Sequence, residues 1–329
     1  MSTEGCPFYT KKVSLSCYVF SPGRYKSLSA FINNESSGLA SFTIAGSGNL
    51  ECMDILGDPI KARPNASKCV NCMFCVFGCP GHKFTVSETY EISSHCNDSV
   101  ESSDWGPLPE KLKGAFKGSL LNDTDFHNAK FFNPLGRYQG FDDFTSIDET
   151  KNIAVWLGNT IKFLLGVRSR VSLEIPIDIP GADRDGRLDV SGIVSDFLLT
   201  CETKTNFRDL MSDKRFVEQL SGYEKKLNEE TSPKGIRYKQ YLVIGGAETD
   251  LLPPGDPRST STLGNDAELF YRLLKEHKIQ FISAKAFLLL GMKALLNKHG
   301  FSLETELNQF LPENTAGLLT SGSIGHLSK

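Results

Sequence analysis

The chain has no apolar run of about 18 residues, so no membrane span is expected. It lacks a G-x4-G-K-[ST] loop, which argues against a helicase or another nucleoside-triphosphate engine. It also lacks an excess of basic charge: 36 Lys and Arg stand against 39 Asp and Glu, a formal net charge of −3. That counts against a non-specific nucleic-acid coat. It does not count against an enzyme in which a basic groove and an acidic metal site partly cancel. The opening "MSTEGCPFYTKKVSLSCYVF" has no basic start, apolar core and small-residue cleavage site, so the expectation is a cytoplasmic protein with reduced cysteines. Nine cysteines, an odd number, also argue against a pure disulfide framework. No internal repeat is found.

The 329 residues suffice for one large domain or two ordinary ones. Residues 1–140 are rich in Gly, Ser, Phe and Cys, with short apolar runs such as "VSLSCYVF" and "LASFTIAG" that read as strands between loops. The texture changes near residue 145. "NIAVWLGNTIKFLLG" has helical spacing, preceded by a Ser146/Glu149 capping box. "VSLEIPIDIPG" reads as a strand, "RLDVSGIVS" and "FLLTCETKT" as a strand pair turning at Ser195-Asp196, and "FRDLMSDKRFVEQLSGYEKKL" as an amphipathic helix. "YKQYLVIGG" and "KIQFIS" are further strands, each followed by a helical stretch. This α-β-β-β-α-β-α-β-α order implies an α/β (α+β) domain: a mixed sheet flanked by helices over 145–310. Residues 311–329 read as a mobile tail.

Chemistry concentrates in "GRLDVSGIVSDFLLTCETK". Glu202 and Lys204 lie two apart on a strand and therefore share a face. Asp189, 13 positions before Glu202, falls where a neighbouring strand can set it alongside. Two carboxylates with a lysine at a sheet edge suit Mg²⁺, a hard cation that also accepts phosphate oxygens. Solvated Glu and Lys alternate on many exposed strands, but "FLLTCETK" is too apolar for one. Asp196 is a rival ligand, placed in the presumed turn.

The D…E-x-K spacing and the element order resemble the PD-(D/E)xK nuclease superfamily, the restriction-endonuclease-like fold, over roughly 145–300. Leu188 stands where that motif often has proline. The resemblance implies that Asp189, Glu202 and the Thr203 carbonyl hold Mg²⁺. It implies that Lys204 orients or activates the attacking water and stabilises developing charge. It also implies a glutamate from the first core helix, with Glu149 the candidate and Glu174 second; Glu149 has the competing role of capping. "QLSGY" resembles the Q-x-x-x-Y motif of RecB-like nucleases, which makes Gln219 and Tyr223, one helical turn apart, candidate site residues near the DNA backbone.

"KCVNCMFCVFGCPG" places four cysteines in eleven positions. The compact C-x2-C-x2-C-x3-C-P run is similar to the bacterial ferredoxin loop and implies a 4Fe-4S cluster. Structural zinc usually pairs two C-x2-C knuckles across a longer gap. Cys69, Cys72 and Cys75 are the expected ligands. Cys79, the only other cysteine of the compact run, is the expected fourth; the alternatives are the remote thiolates Cys96, Cys52 and Cys17, since the cysteine before proline serves a second cluster in two-cluster ferredoxins. Phosphodiester hydrolysis moves no electrons, so the cluster is expected to brace residues 1–140. With Arg63, Lys68, His82 and Lys83 nearby, that segment is the expected DNA-recognition domain. The expectation is a Mg²⁺-dependent endonuclease of type II restriction character, acting on double-stranded DNA as a homodimer. A RecB-like iron–sulfur nuclease in repair, recombination or CRISPR adaptation and a DNA-binding redox regulator are the alternatives.

Overall fold

The computed structural model describes residues 23–38, 53–56, 61–64, 73, 77, 84–86, 92–94, 145, 152–166, 168–179, 186–205, 215–248, 272, 274–296, 301–312 and 317–326. A short helix, α1 (Leu28–Asn33), begins where the Ser27 side chain accepts the Ala30 N–H at 3.1 Å and ends at Asn34 in the left-handed conformation. Two antiparallel pairs follow, β1 (Met53–Leu56) with β2 (Lys61–Pro64) and β3 (Phe84–Val86) with β4 (Ile92–Ser94). The runs "VSLSCYVF" and "LASFTIAG", expected as strands, lie outside the described residues.

The remainder centres on one six-stranded mixed sheet. Its strands are β5 (Arg170–Ile177), β6 (Gly186–Val194), β7 (Phe197–Lys204), β8 (Arg237–Ile244), β9 (Gln280–Ser283) and β10 (Gly317–Leu319). The order is β10-β9-β8-β7-β6-β5. β7 to β10 run parallel, while β5–β6 and β6–β7 are antiparallel. The C-terminal ends of β7 to β10 and the N-terminal end of β6 therefore share one edge. β7 is central and its first six residues are buried on both faces, which is why its sequence is an almost unbroken apolar run.

Helices cover both faces. On one, Ile153, Trp156, Leu157 and Ile161 of α2 (Asn152–Leu165) pack with α4 (Ala284–Leu296) and α5 (Leu303–Phe310) over Val190, Leu199, Cys201 and Val243. On the other, Phe216, Leu220, Tyr223 and Leu227 of α3 (Arg215–Thr231) join Phe31 of α1 over Ile175, Leu188, Leu198 and Leu242. Each such apolar side chain contributes about 1.5–3 kcal/mol on full burial, so the two layers stabilise the sheet. Among the described residues, no helix is long and apolar enough to cross a membrane.

The C-terminal segment departs from the sequence expectation. Residues 317–319 add β10 in parallel to β9, and α6 (Ser321–His326) packs against α4. The carboxylate of Glu248, just past β8, accepts the Ser321 N–H at 2.7 Å and the hydroxyls of Ser283 and Ser321, tying three elements together. Within residues 317–326 the apolar content is confined to Leu318, Leu319 and Ile324, too few for a periodic signal in a Gly- and Ser-rich stretch.

Candidate active site

The site forms where the sheet splits. β7 stays paired with β8 as far as Lys204–Ile244, and β6 stays paired with β5 as far as Gly186–Ile177. The β6–β7 ladder, by contrast, ends at Val190–Cys201. The split begins at a reversal shared by β5 and β6. Val171 and Leu173 face the α2 layer, yet Ile175 and Ile177, in step with them along the strand, face α3. On β6, Val190 faces the α2 layer and Leu188 faces α3. The change occurs at Glu174, which has φ +53°, and at Asp189 opposite it, the one rung skipped between Leu173–Val190 and Ile175–Leu188. A non-glycine residue in the left-handed region within a strand is unusual and marks a locally imposed backbone.

Side chains take over where the ladder stops. The Asp189 N–H donates to Glu202 Oε1 at 3.4 Å. Asp189 Oδ2 accepts the Thr203 N–H at 2.8 Å and the Thr203 hydroxyl at 2.9 Å. The Asp196 and Lys204 carbonyls both accept bonds from the β8 side, from Arg237 and Gly245 at 2.8 Å. By strand alternation, the main-chain groups of Thr203 are therefore directed at β6, and its carbonyl faces the opened gap. Glu202 and Lys204 project to the α3 face, and Lys204 Nζ lies 4.4 Å from the centroid of the Phe216 ring.

Glu202 is 4% exposed. Burial pushes its carboxyl well above the ordinary carboxylate range, and the neighbouring Asp189 charge raises it further. The Asp189 N–H and the Lys204 ammonium pull only partly in the other direction. Without a cation this pair favours one retained proton. Two carboxylates and a main-chain carbonyl converging on one gap form a hard oxygen donor set that suits Mg²⁺, whose remaining positions are commonly filled by water and phosphate. Among the described residues, no group of three or more His, Cys, Asp or Glu side chains converges as a metal site.

Gln219 and Tyr223 lie at the same gap, on α3. The Tyr223 hydroxyl accepts the Arg187 N–H at 3.0 Å, donates to the Arg187 carbonyl at 3.0 Å and accepts from the Gln219 amide. Burial, with a smaller contribution from the Glu202 charge, pushes this phenol up to about 12. Asp196 lies instead in the β6–β7 turn at the far end of β7, paired with Arg237 at 3.1 Å. Arg237 holds its carboxyl below the usual range. Cys201 is fully buried among the α2-side apolar residues, as expected for packing. Sequence reasoning did not single out Arg187, Phe216 or the Thr203 hydroxyl. Phe216 carried a signal only in its place one turn ahead of Gln219 on the helix that follows E-x-K.

Glu149 and the cysteines Cys69, Cys72, Cys75 and Cys79 lie outside the described residues. Thr145 is fully buried, and its hydroxyl accepts the Gly246 N–H at 2.9 Å beside the end of β8. Two spacer residues of the cysteine run are described. Met73 and Phe77 are buried in the α2–α4 layer, and Phe77 stacks on Phe163 with ring centroids 5.1 Å apart. Comparison with protein-family models, with curated proteins and with solved structures finds no match to this chain.

Proposed function

We propose that this protein is a Mg²⁺-dependent deoxyribonuclease of the PD-(D/E)xK type, with a restriction-endonuclease-like catalytic domain. One observation carries the reading: Asp189 and Glu202 are brought together at a split in the sheet, with Lys204 two positions on along β7, on the same face as Glu202. Asp189, Glu202 and the Thr203 carbonyl would hold the cation. Bound there, Mg²⁺ would offset the two negative charges and polarise a phosphoryl oxygen as a Lewis acid. Lys204 orients the attacking water and stabilises charge that develops on the phosphate. The Arg187 side chain, 62% exposed and paired with Glu174 at 3.6 Å, would exchange that exposed partner for the DNA backbone.

The substrate in this reading is double-stranded DNA, recognised through residues 1–140 and cut by a two-fold homodimer if the target is palindromic. The cysteine run holds a 4Fe-4S cluster with a bracing role. The anchoring of Met73 and Phe77 in the α2–α4 layer supports a brace that acts on the catalytic domain as well as on its own segment.

Circular and linear DNA incubated with Mg²⁺, followed by fragment sequencing, tests the function. Discrete fragments from a plasmid support restriction character, and end-dependent degradation supports a RecB-like repair nuclease. Loss of cutting is expected for Glu202→Ala and Lys204→Ala; undiminished cutting by either refutes the site. Anaerobic purification should give a brown protein whose absorption is lost on chelation or oxidation. A colourless protein with stoichiometric zinc would refute the cluster.

A further inference from the structure

We propose that Tyr223, oriented by Gln219, is a wedge that keeps β6 turned away from β7, and is thereby a positioning residue for the Asp189–Glu202 pair. The wedge stands on the geometry alone; its consequence for metal and DNA rests on the nuclease reading. A phenolic hydroxyl has one proton to donate and two lone pairs. At Tyr223 all three are used within the protein, by the Arg187 carbonyl, the Arg187 N–H and the Gln219 amide. Nothing is left over for a phosphate, although the resemblance placed this residue near the DNA backbone.

The bonds to Arg187 have a structural effect. They hold both main-chain groups of Arg187 toward the gap, on the side of β6 away from β5. The peptide groups of Leu188, one residue on, are then directed at β5. Leu188 would otherwise be the rung partner of Thr203, continuing the Val190–Cys201 register. With that partner turned away, the Thr203 N–H is taken by Asp189 Oδ2 and the Asp189 N–H by Glu202. The reversal that this requires is the one at Asp189 and Glu174, where φ is +53°.

The local sequence fits the device. A Cβ at Gly186 would come within 2.5 Å of the Tyr223 ring, so the residue before Arg187 has to be glycine for the ring to seat. A Cβ at Gly222 would meet Ile179 at 2.7 Å, so α3 also depends on a small residue next to Tyr223 for its close approach. Released from Tyr223, β6 can relax to a regular strand. Leu188 then pairs with Thr203 and displaces the Asp189 carboxylate.

The test compares the full-length protein with Tyr223→Phe, which keeps the ring, and with Gln219→Leu, a milder change should the first fail to fold. Mn²⁺ affinity is measured by calorimetry, kcat and KM on plasmid DNA with Mg²⁺, and the path of β6 by crystallography. The expected result for Tyr223→Phe is Mn²⁺ binding weakened at least tenfold, kcat lowered, KM for DNA within twofold, and a new Leu188–Thr203 rung. Gln219→Leu moves the same quantities less. Unchanged Mn²⁺ affinity with a raised KM would mean that Tyr223 touches DNA and would overturn the proposal. An unchanged path of β6 would overturn it as well. If the unsubstituted protein neither binds Mn²⁺ nor cuts DNA, the nuclease reading fails. The wedge is then decided by the crystal structures: a new rung supports it and an unchanged strand refutes it.

Discussion

Glu174 faces Asp189 across the single rung that the β5–β6 ladder skips, and Glu174 holds φ +53° to do so. Its side chain is paired at 3.6 Å with Arg187, which is largely exposed, so the pair contributes little to stability. The left-handed backbone costs a non-glycine residue about 1–2 kcal/mol. Glu174→Gly is therefore expected to raise the free energy of unfolding by roughly 0.5–1 kcal/mol, and Glu174→Val to lower it. Urea denaturation of the two variants measures this. A destabilised glycine variant would show that the Glu174 side chain, not its backbone, stabilises the split.

Glu202 makes stability depend on pH in a direction opposite to that of an ordinary ion-paired carboxylate. In the cation-free protein its folded-state proton affinity is raised, chiefly by burial and next by Asp189. Between the unfolded value of about 4.3 and the raised folded value, the native state binds more protons than the unfolded one. This contribution is fully present below the unfolded value and is lost as pH rises through the folded one. Thermal melts in chelator should show stability falling as the pH rises above that of a free glutamate. Glu202→Gln should flatten the fall and melt higher at pH 8, yet cut no DNA. Equal pH slopes for the two proteins would count against a proton held at Glu202.

Lys204 stands over Phe216, a contact that fixes an otherwise flexible ammonium group. A cation–π contact is worth about 0.5–1 kcal/mol when exposed, and more when desolvated. Phe216→Leu should accordingly lower kcat about two- to fivefold with KM for DNA nearly unchanged, and Phe216→Trp should restore it. Lys204→Ala should cost on the order of 10²–10³-fold, because it removes the charge itself. Steady-state kinetics on a plasmid substrate separate the two. A kcat for Phe216→Leu equal to that of the unsubstituted protein would remove Phe216 from the site.

Much of the sheet domain was legible because its signals are local. β7 reads as a buried strand from "FLLTC", and Ser195, with φ +52°, sits in the turn read at Ser195-Asp196. The two-residue spacing of Glu202 and Lys204 gave their shared face. The split between β6 and β7 was not legible, because it depends on a positive φ at Glu174 and on contacts between Tyr223 and Arg187, 36 positions apart. Neither leaves a periodic trace. Phe77 was equally hidden: within a cysteine run its aromatic character reads as spacing, and only the fold reveals its place in the α2–α4 layer.

That placement couples the cysteine run to the stability of the sheet domain. Phe77 is fully buried, stacks on Phe163, and lies so close to α4 that a Cβ on Gly291 would come within 2.6 Å of its ring. Phe77→Ala should cost about 3–5 kcal/mol by opening a cavity. Gly291→Ala should cost about 1–3 kcal/mol by overpacking. Trp156 of α2, also fully buried in this cluster, is a reporter for the layer. The chain has two tryptophans, so Trp105→Phe isolates its fluorescence. If the cysteines hold a cluster, stripping it with chelator and oxidant should lower the temperature at which Trp156 becomes solvent-exposed, in the same direction as Phe77→Ala. The two effects should not add, because each removes the same anchor. A melt of Trp156 that ignores cluster loss would confine the brace to the N-terminal segment and separate it from the sheet domain.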